Sequence, residues 1–210
     1  MTRIVAGSAK GRTLAVPKSG TRPTSERVRE ALFSRLDHMN VLEGATVLDL
    51  FAGTGALGLE ALSRGAARAT LVEKASAAAR VASANVRATG LPARVVTADV
   101  RAYLGARSGE ALMGENDLVF IDPPYDIPEG DMTTVLSALA PWVGPDSLIV
   151  VERSTRAPAP TWPPFLVLED TRAWGETVAY FAGPPLPTDE ESSDAVERAA
   201  ASPVCEETAP

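Results

Sequence analysis

Four short apolar runs in the middle of this chain each end on, or beside, an acidic residue, and longer stretches separate them. Val47–Phe51 carries Asp49 within it, Ala69–Glu73 closes on Glu73, Ala93–Thr97 is followed by Asp99, and Leu118–Ile121 runs into Asp122. Aliphatic and β-branched runs this short, with little polar alternation, fit strands buried on both faces. The stretches between them are helical in pattern. One enters through a loop at Ala52–Gly58 and runs to about Arg64 before Gly65; another, rich in Ala, runs from Ala75 to Thr89 before Gly90. Glycine just past a helix allows the left-handed turn that ends it. Strand alternating with helix implies a mainly parallel sheet covered on both faces and joined by right-handed crossovers. A helix over Met132–Leu139 and a fifth strand over Ser147–Glu152 continue the series. Phe165–Glu169 and Glu176–Phe181, joined through Asp170–Gly175, then read as a closing antiparallel hairpin. The expected fold class is α/β, Rossmann-like, with a mainly parallel seven-stranded sheet.

Charge divides the chain into three parts. Residues 1–35 hold eight basic side chains against two acidic ones, whereas residues 184–210 hold seven acids against Arg198, so the net charge of −7 hides a basic front. The expected organisation is a basic N-terminal extension and helix over 1–40, a catalytic domain over 41–183, and a disordered acidic tail over 184–210. The tail has too few large apolar side chains to offset the entropy of ordering it. In the extension, short strands are expected around Arg3–Val5 and Thr13–Val16. A helix follows Pro23, with Thr24 or Ser25 as its cap and Val28, Ala31, Leu32, Leu36 and Met39 on one face. Arg3, Lys10, Arg12, Arg22, Thr24, Arg27 and Arg29 are the candidate phosphate contacts, set against the plainer reading of a solvated arm. His38 and Cys205 are the only residues of their kinds, so a Cys- or His-based metal site is excluded. No signal peptide or membrane-length apolar run is present, which leads to the expectation of a cytoplasmic protein.

Asp49-Leu-Phe-Ala-Gly-Thr-Gly-Ala-Leu-Gly58 places Gly53-x-Gly55-x-x-Gly58 directly after the first strand of the series. Glycines there let the backbone turn tightly and approach a nucleotide. Twenty residues past Gly53, Glu73 ends the next strand, where an acid can accept from both ribose hydroxyls. Asp99 lies where the following loop would meet an adenine edge. Phe51, Lys74 and Val100 flank these positions, and Asp122 closes the candidate cofactor set. A nicotinamide dinucleotide and S-adenosylmethionine both fit such a loop. Asp49 favours the second, because a carboxylate beside the loop suits an ammonium group and repels a pyrophosphate.

In Asp117-Leu-Val-Phe-Ile-Asp-Pro-Pro-Tyr125 the strand stops at Asp122 against two prolines that cannot donate hydrogen bonds. The result is a stiff turn at the carboxyl end of a buried strand, the edge where open α/β sheets bind ligands. Asp122 and the Pro123 carbonyl would accept from an exocyclic amine, and Tyr125 would stack on the heterocycle that carries it. The plain alternative is a strand-ending turn with an incidental tyrosine.

Taken together, these residues resemble the RsmD-type 16S ribosomal RNA (guanine-N2)-methyltransferases. The segments that carry the resemblance are Arg3-Ile-Val-Ala-Gly-x-x-x-Gly-Arg12, Arg22-Pro-Thr-Ser-Glu-Arg-Val-Arg-Glu30, Asp49-Leu-Phe-Ala-Gly-Thr-Gly55 with Gly58-Leu-Glu-Ala-Leu62, and Asp122-Pro-Pro-Tyr125. The glycine and Asp-Pro-Pro-Tyr motifs are common to many amino-methyltransferases; the Arg-Pro-Thr block is particular to this family. The resemblance implies a class I methyltransferase fold, S-adenosylmethionine as cofactor and methylation of the N2 amine of one guanine. It also implies a protein, expected to be monomeric, that acts on 16S ribosomal RNA or the assembling small subunit. An adenine-N6 enzyme and a nicotinamide-dependent oxidoreductase are the competing readings.

Overall fold

A computed structural model describes residues 2–16, 26–106 and 116–185. The acidic tail beyond Pro185 lies outside them, as do Arg22 and Thr24. The first described segment is a small antiparallel ladder, β1 (Thr2–Arg3) with β2 (Thr13–Leu14), in which Thr2 faces Leu14. Helix α1 (Glu26–His38) follows. The central sheet contains β3 (Thr46–Leu50), β4 (Arg68–Glu73), β5 (Ala93–Thr97), β6 (Asn116–Ile121), β7 (Val143–Ser154), β8 (Val167–Trp174) and β9 (Thr177–Gly183). Its spatial order is β5-β4-β3-β6-β7-β9-β8, with β9 antiparallel to both its neighbours and the other pairs parallel. The connecting helices are α2 (Ala56–Ser63), α3 (Ser76–Thr89), α4 (Val100–Gly105) and α5 (Glu129–Ser137).

Side-chain alternation along β3 and β6 builds the two layers of the core. Val47, Leu118 and Phe120 face the layer that holds Leu32, Phe33 and Leu36 of α1 and Leu59 and Leu62 of α2. Leu48, Leu50, Val119 and Ile121 face the other, with Val100 and Leu104 of α4 and Val135 and Leu136 of α5. Because both faces are covered, these strands are apolar along most of their length, with Asp49 the exception in the middle of β3. The alternating units are therefore where the sequence places them, within a residue or two.

Three boundaries differ from expectation. Helix α5 starts at Glu129 rather than Met132, behind Pro128, whose extended backbone (φ −62°, ψ 143°) caps it; it gives way after Ser137 to a 3₁₀ turn at Ala140–Trp142. Strand β7 is twelve residues long, since its parallel pairing begins as early as Val143 opposite Asn116. The polar segment Asp170–Trp174, read as the hairpin connection, is strand. The turn itself is only Gly175–Glu176, with Gly175 at φ 61°. Strand β8 is the sheet edge and largely exposed, so its pairing with β9 rests on backbone hydrogen bonds and leaves no apolar signature.

Residues 2–16 are docked. Ile4, Ala9 and Leu14 belong to the same core layer as α1 and α2. Glu60 of α2, fully buried, accepts from the Val5 and Ala6 N–H groups at 2.7 and 3.0 Å. Ser63 donates to the Ala6 carbonyl (2.5 Å) and accepts from the Ala9 N–H (3.0 Å). Gly7 (φ +80°) permits this approach, since a Cβ there would lie 1.7 Å from the Ser63 carbonyl oxygen. The solvated-arm alternative therefore does not apply to residues 2–16.

Candidate active site

The strand order reverses where β3 and β6 lie side by side: β4 and β5 follow β3 in one direction, and the chain then returns to its other flank. A crevice opens at the carboxyl ends of strands at such a point. The cleft found there encloses about 1090 Å³, with Asp49, Phe51, Gly53, Glu73, Asp99 and Asp122 among its walls.

The chain leaves β3 through Phe51, which holds a left-handed φ of 62°. That conformation is uncommon for a bulky side chain and carries strain, so the surrounding contacts must hold it. Glu73 supplies one of them. Its Oε2 accepts from the Gly53 N–H at 2.8 Å and its Oε1 from the Ala75 N–H at 2.6 Å. Each carboxylate oxygen keeps a further lone pair, so Glu73 can hold the loop and still accept from a ligand hydroxyl. Gly55 has another task. It does not line the cleft; a Cβ there would lie 2.8 Å from Leu71 Cδ1, so the residue lets α2 start hard against β4.

Asp49 sits in β3 beneath the loop, 1% exposed, and its Oδ2 accepts from the Gly58 N–H at 2.9 Å. Gly58 admits this contact because any Cβ would lie 2.3 Å from Leu71 Cδ2 and 3.3 Å from Asp49 Oδ2. Burial pushes the Asp49 carboxyl up to about 7; the Gly58 hydrogen bond opposes the rise, and the nearby charges of Asp122 and Glu73 add to it. A buried carboxyl that titrates near neutrality beside a glycine loop is prepared for a cationic group. Asp99 caps α4 by accepting from the Arg101 N–H at 3.0 Å, and its Oδ2 accepts from Lys74 Nζ at 3.0 Å. That Lys74 bond holds the Asp99 carboxyl below its usual range. Val100, buried at the start of α4, closes the floor.

Across the switch point, Asp122, Pro123 and Tyr125 line the same cleft. Pro123 is buried, whereas Tyr125 is 68% exposed, which leaves its ring open to a planar partner. Cofactor and catalytic candidates thus share one cavity. The basic candidates do not behave alike. Lys10 and Arg27 are exposed, Arg12 is exposed with its Nη1 donating to the Ala88 carbonyl (2.6 Å), and Arg3 pairs with Glu26 at 3.3 Å.

Arg29 is a correction. It is 1% exposed, its Nη2 donates to the Arg3 carbonyl at 2.5 Å, and its Nε faces Glu60 at 3.8 Å, so it is not a surface cation. Burial lowers its pKa, opposed first by the charge of Glu60. The signal was available: Arg29 falls at i−3 and i−7 from Leu32 and Leu36, on the apolar stripe of α1. Glu60, placed inside an otherwise apolar helix, is its counterpart, and sequence reading missed its anchoring role.

An open sheet of this order with a single reversed strand, bearing a glycine loop, Glu73 at the end of the next strand and Asp-Pro-Pro-Tyr on one edge, defines a class I methyltransferase. The chain belongs to the family described as conserved hypothetical protein 95, the small-subunit ribosomal RNA methyltransferase D family, whose profile spans residues 2–183. It is 40% identical over 180 residues to Ribosomal RNA small subunit methyltransferase D of Escherichia coli K12, covering 85% of this chain and 87% of that one. The Haemophilus influenzae protein of the same name is 34% identical over 160 residues, 74% of this chain and 80% of that one. Among solved structures, Escherichia coli yhhF superposes with a TM-score of 0.75 at 35% identity, covering 89% of this chain and 99% of that one.

Proposed function

We propose that this protein transfers a methyl group from S-adenosylmethionine to the exocyclic N2 amine of a guanine in 16S ribosomal RNA. The observation that carries the reading is the placement of Asp122, Pro123 and an exposed Tyr125 in one cleft with the glycine loop, Asp49 and Glu73. Membership of an rRNA methyltransferase family supports the substrate class, and the Arg-Pro-Thr block supports the RsmD-type target over an adenine-N6 one.

The cofactor, when bound, supplies an electrophilic methyl group on a cationic sulfur, already a good leaving group. Residues of this chain supply binding and orientation. Glu73 offers acceptors for ribose hydroxyls, and Asp49, ionised, offers a counter-charge for an ammonium. Asp99, fixed by Lys74 and by its capping role, stands at the adenine end of the cleft. For the acceptor, the difficulty is an amine whose lone pair is delocalised into the ring. Asp122 and the Pro123 carbonyl, accepting from its two N–H groups, orient the amine and favour a pyramidal, nucleophilic nitrogen. Tyr125 stacks on the base, which must be unstacked from its neighbours to reach the turn.

The test is methylation of unmodified 16S ribosomal RNA, naked or in small subunits, followed by nucleoside mass spectrometry. N2-methylguanosine is the expected product; N6-methyladenosine alone would refute the assignment of the base. Asp122→Asn offers a donor where an acceptor is needed. It should lower turnover by about a hundredfold or more, in line with the loss of one preorganised polar group, while the cofactor still binds.

A further inference from the structure

Helix α3 and the β1–β2 segment hold the most one-sided charge among the described residues. Residues 2–16 and 76–89 carry Arg3, Lys10, Arg12, Arg80 and Arg87 and not one acid, in a chain whose net charge is −7. The two segments touch. Arg12 Nη1 donates to the Ala88 carbonyl near the end of α3 (2.6 Å), and the Ala15 N–H donates to Asn85 Oδ1 at 2.8 Å while Asn85 Nδ2 donates back to the Ala15 carbonyl at 3.1 Å.

Arg80 and Arg87 are seven residues apart, two turns or about 10 Å along the axis, and so point the same way. The buried face of α3 is Ala78, Ala79, Ala82, Asn85 and Thr89. The two arginines fall on the side away from it, and both are exposed. Of the other exposed arginines, four are engaged: Arg3 with Glu26, Arg101 with Asp131, Arg156 with Glu176 and Arg172 with Asp170. Arg27, Arg68 and Arg94 pair with no described carboxylate but do not lie on α3 or the β1–β2 segment. No described carboxylate pairs with Lys10, Arg12, Arg80 or Arg87. Around the cleft itself the cations are already matched: Lys74 by Asp99 and Arg101 by Asp131.

The row of uncompensated charge leads to the site. Ala75, just before α3, donates its N–H to Glu73 and, with Ala78, lines the cleft. From there the helix runs 14 residues, about 21 Å, to the point where Arg12 rests on it. We infer that this flank is a track for the RNA backbone, in which Arg80 and Arg87 of α3, continued by Arg12 and Lys10, take successive phosphates of the strand that leaves the cleft. The inference rests on the proposed RNA substrate and extends its contact surface beyond the N-terminal extension, onto a helix of the catalytic domain.

The experiment is filter binding of an unmodified 16S ribosomal RNA fragment over a range of salt, with methylation kinetics and calorimetry for S-adenosylmethionine. Arg80→Ala/Arg87→Ala should flatten the slope of log affinity against log salt by about 1.4, two contacts at roughly 0.7 each for single-stranded RNA. KM for RNA should rise, with kcat at saturating RNA and cofactor affinity unchanged. Arg80→Lys/Arg87→Lys, which keeps the charge, should restore most of the slope. Arg172→Ala, on the far edge strand, should behave as wild type. If wild type neither binds nor methylates the RNA, the proposed function fails and the track with it. If wild type does both and the double alanine variant has the wild-type slope, the track is wrong while the function stands.

Discussion

Asp49 lends itself to a quantitative test, because its burial ties cofactor binding to pH. Its carboxyl is held at about 7 by desolvation, with Asp122 and Glu73 adding to the rise. If the cationic methionine end of the cofactor binds beside it, binding favours the ionised form. The free protein at about pH 6 has roughly one Asp49 in ten ionised, and at about pH 7.5 roughly three in four, on simple titration about a pKa of 7. Affinity for S-adenosylmethionine should therefore rise about eightfold over that interval, or about 1.2 kcal/mol, and binding at the lower pH should release close to one proton. Calorimetry in two buffers of different ionisation enthalpy reads both quantities. Asp49→Asn keeps an acceptor for the Gly58 N–H and cannot titrate, so its affinity should be low and flat with pH. A flat wild-type profile, or a variant that keeps the slope, would refute the reasoning. Stability of the ligand-free protein runs the other way. The folded pKa lies above the unfolded value, so the native state holds a proton that the unfolded state has released between about pH 4 and pH 7. This group's contribution thus falls as pH rises through that window, and the melting temperature of wild type should fall more across it than that of Asp49→Asn.

Glu73→Ala removes the proposed ribose acceptor and also frees the N–H groups of Gly53 and Ala75. Loss of charge-assisted bonds worth about 1.5–3 kcal/mol should weaken cofactor binding by about one to two orders of magnitude, and calorimetric affinity equal to wild type would contradict the assignment. Tyr125→Ala should cost about 1–3 kcal/mol of base stacking, seen as reduced kcat/KM for RNA with cofactor affinity intact; equal kcat/KM would leave Tyr125 an incidental exposed ring.

The strands of the parallel half were readable because they are buried on both faces, which permits almost nothing but apolar side chains. Asp49 stood out against that background, as did the prolines after Asp122. The second half of strand β8 was hidden for the converse reason: an edge strand with an exposed surface can have any polar sequence, and Asp170–Trp174 looks like loop. Arg29 and Glu60 were hidden because pattern reading treats a charge as a surface marker. Buried together, they offset each other's charge and bond the backbone of Arg3, Val5 and Ala6, and that arrangement appears only when α1, α2 and the first strand are seen in space. Gly55 was assigned to the ligand on the strength of its motif, yet its lack of a side chain serves Leu71.

The docking of the N-terminal residues has a consequence for how the chain assembles. Val5 reaches Glu60 across 55 positions and Ala15 reaches Asn85 across 70. Contacts so distant in sequence close late, after the entropy of a long loop has been met. During synthesis residues 2–16 therefore have nothing to dock on until α2 and α3 have been made and have settled on the sheet. A segment made before α2 and α3 locks only after them. It then covers α2 and α3 as a seal over their polar groups Glu60, Ser63 and Asn85, which stay wetted until it arrives. Removing residues 2–16 should thus expose three buried polar side chains at once, a defect of the nascent chain rather than of the catalytic cleft.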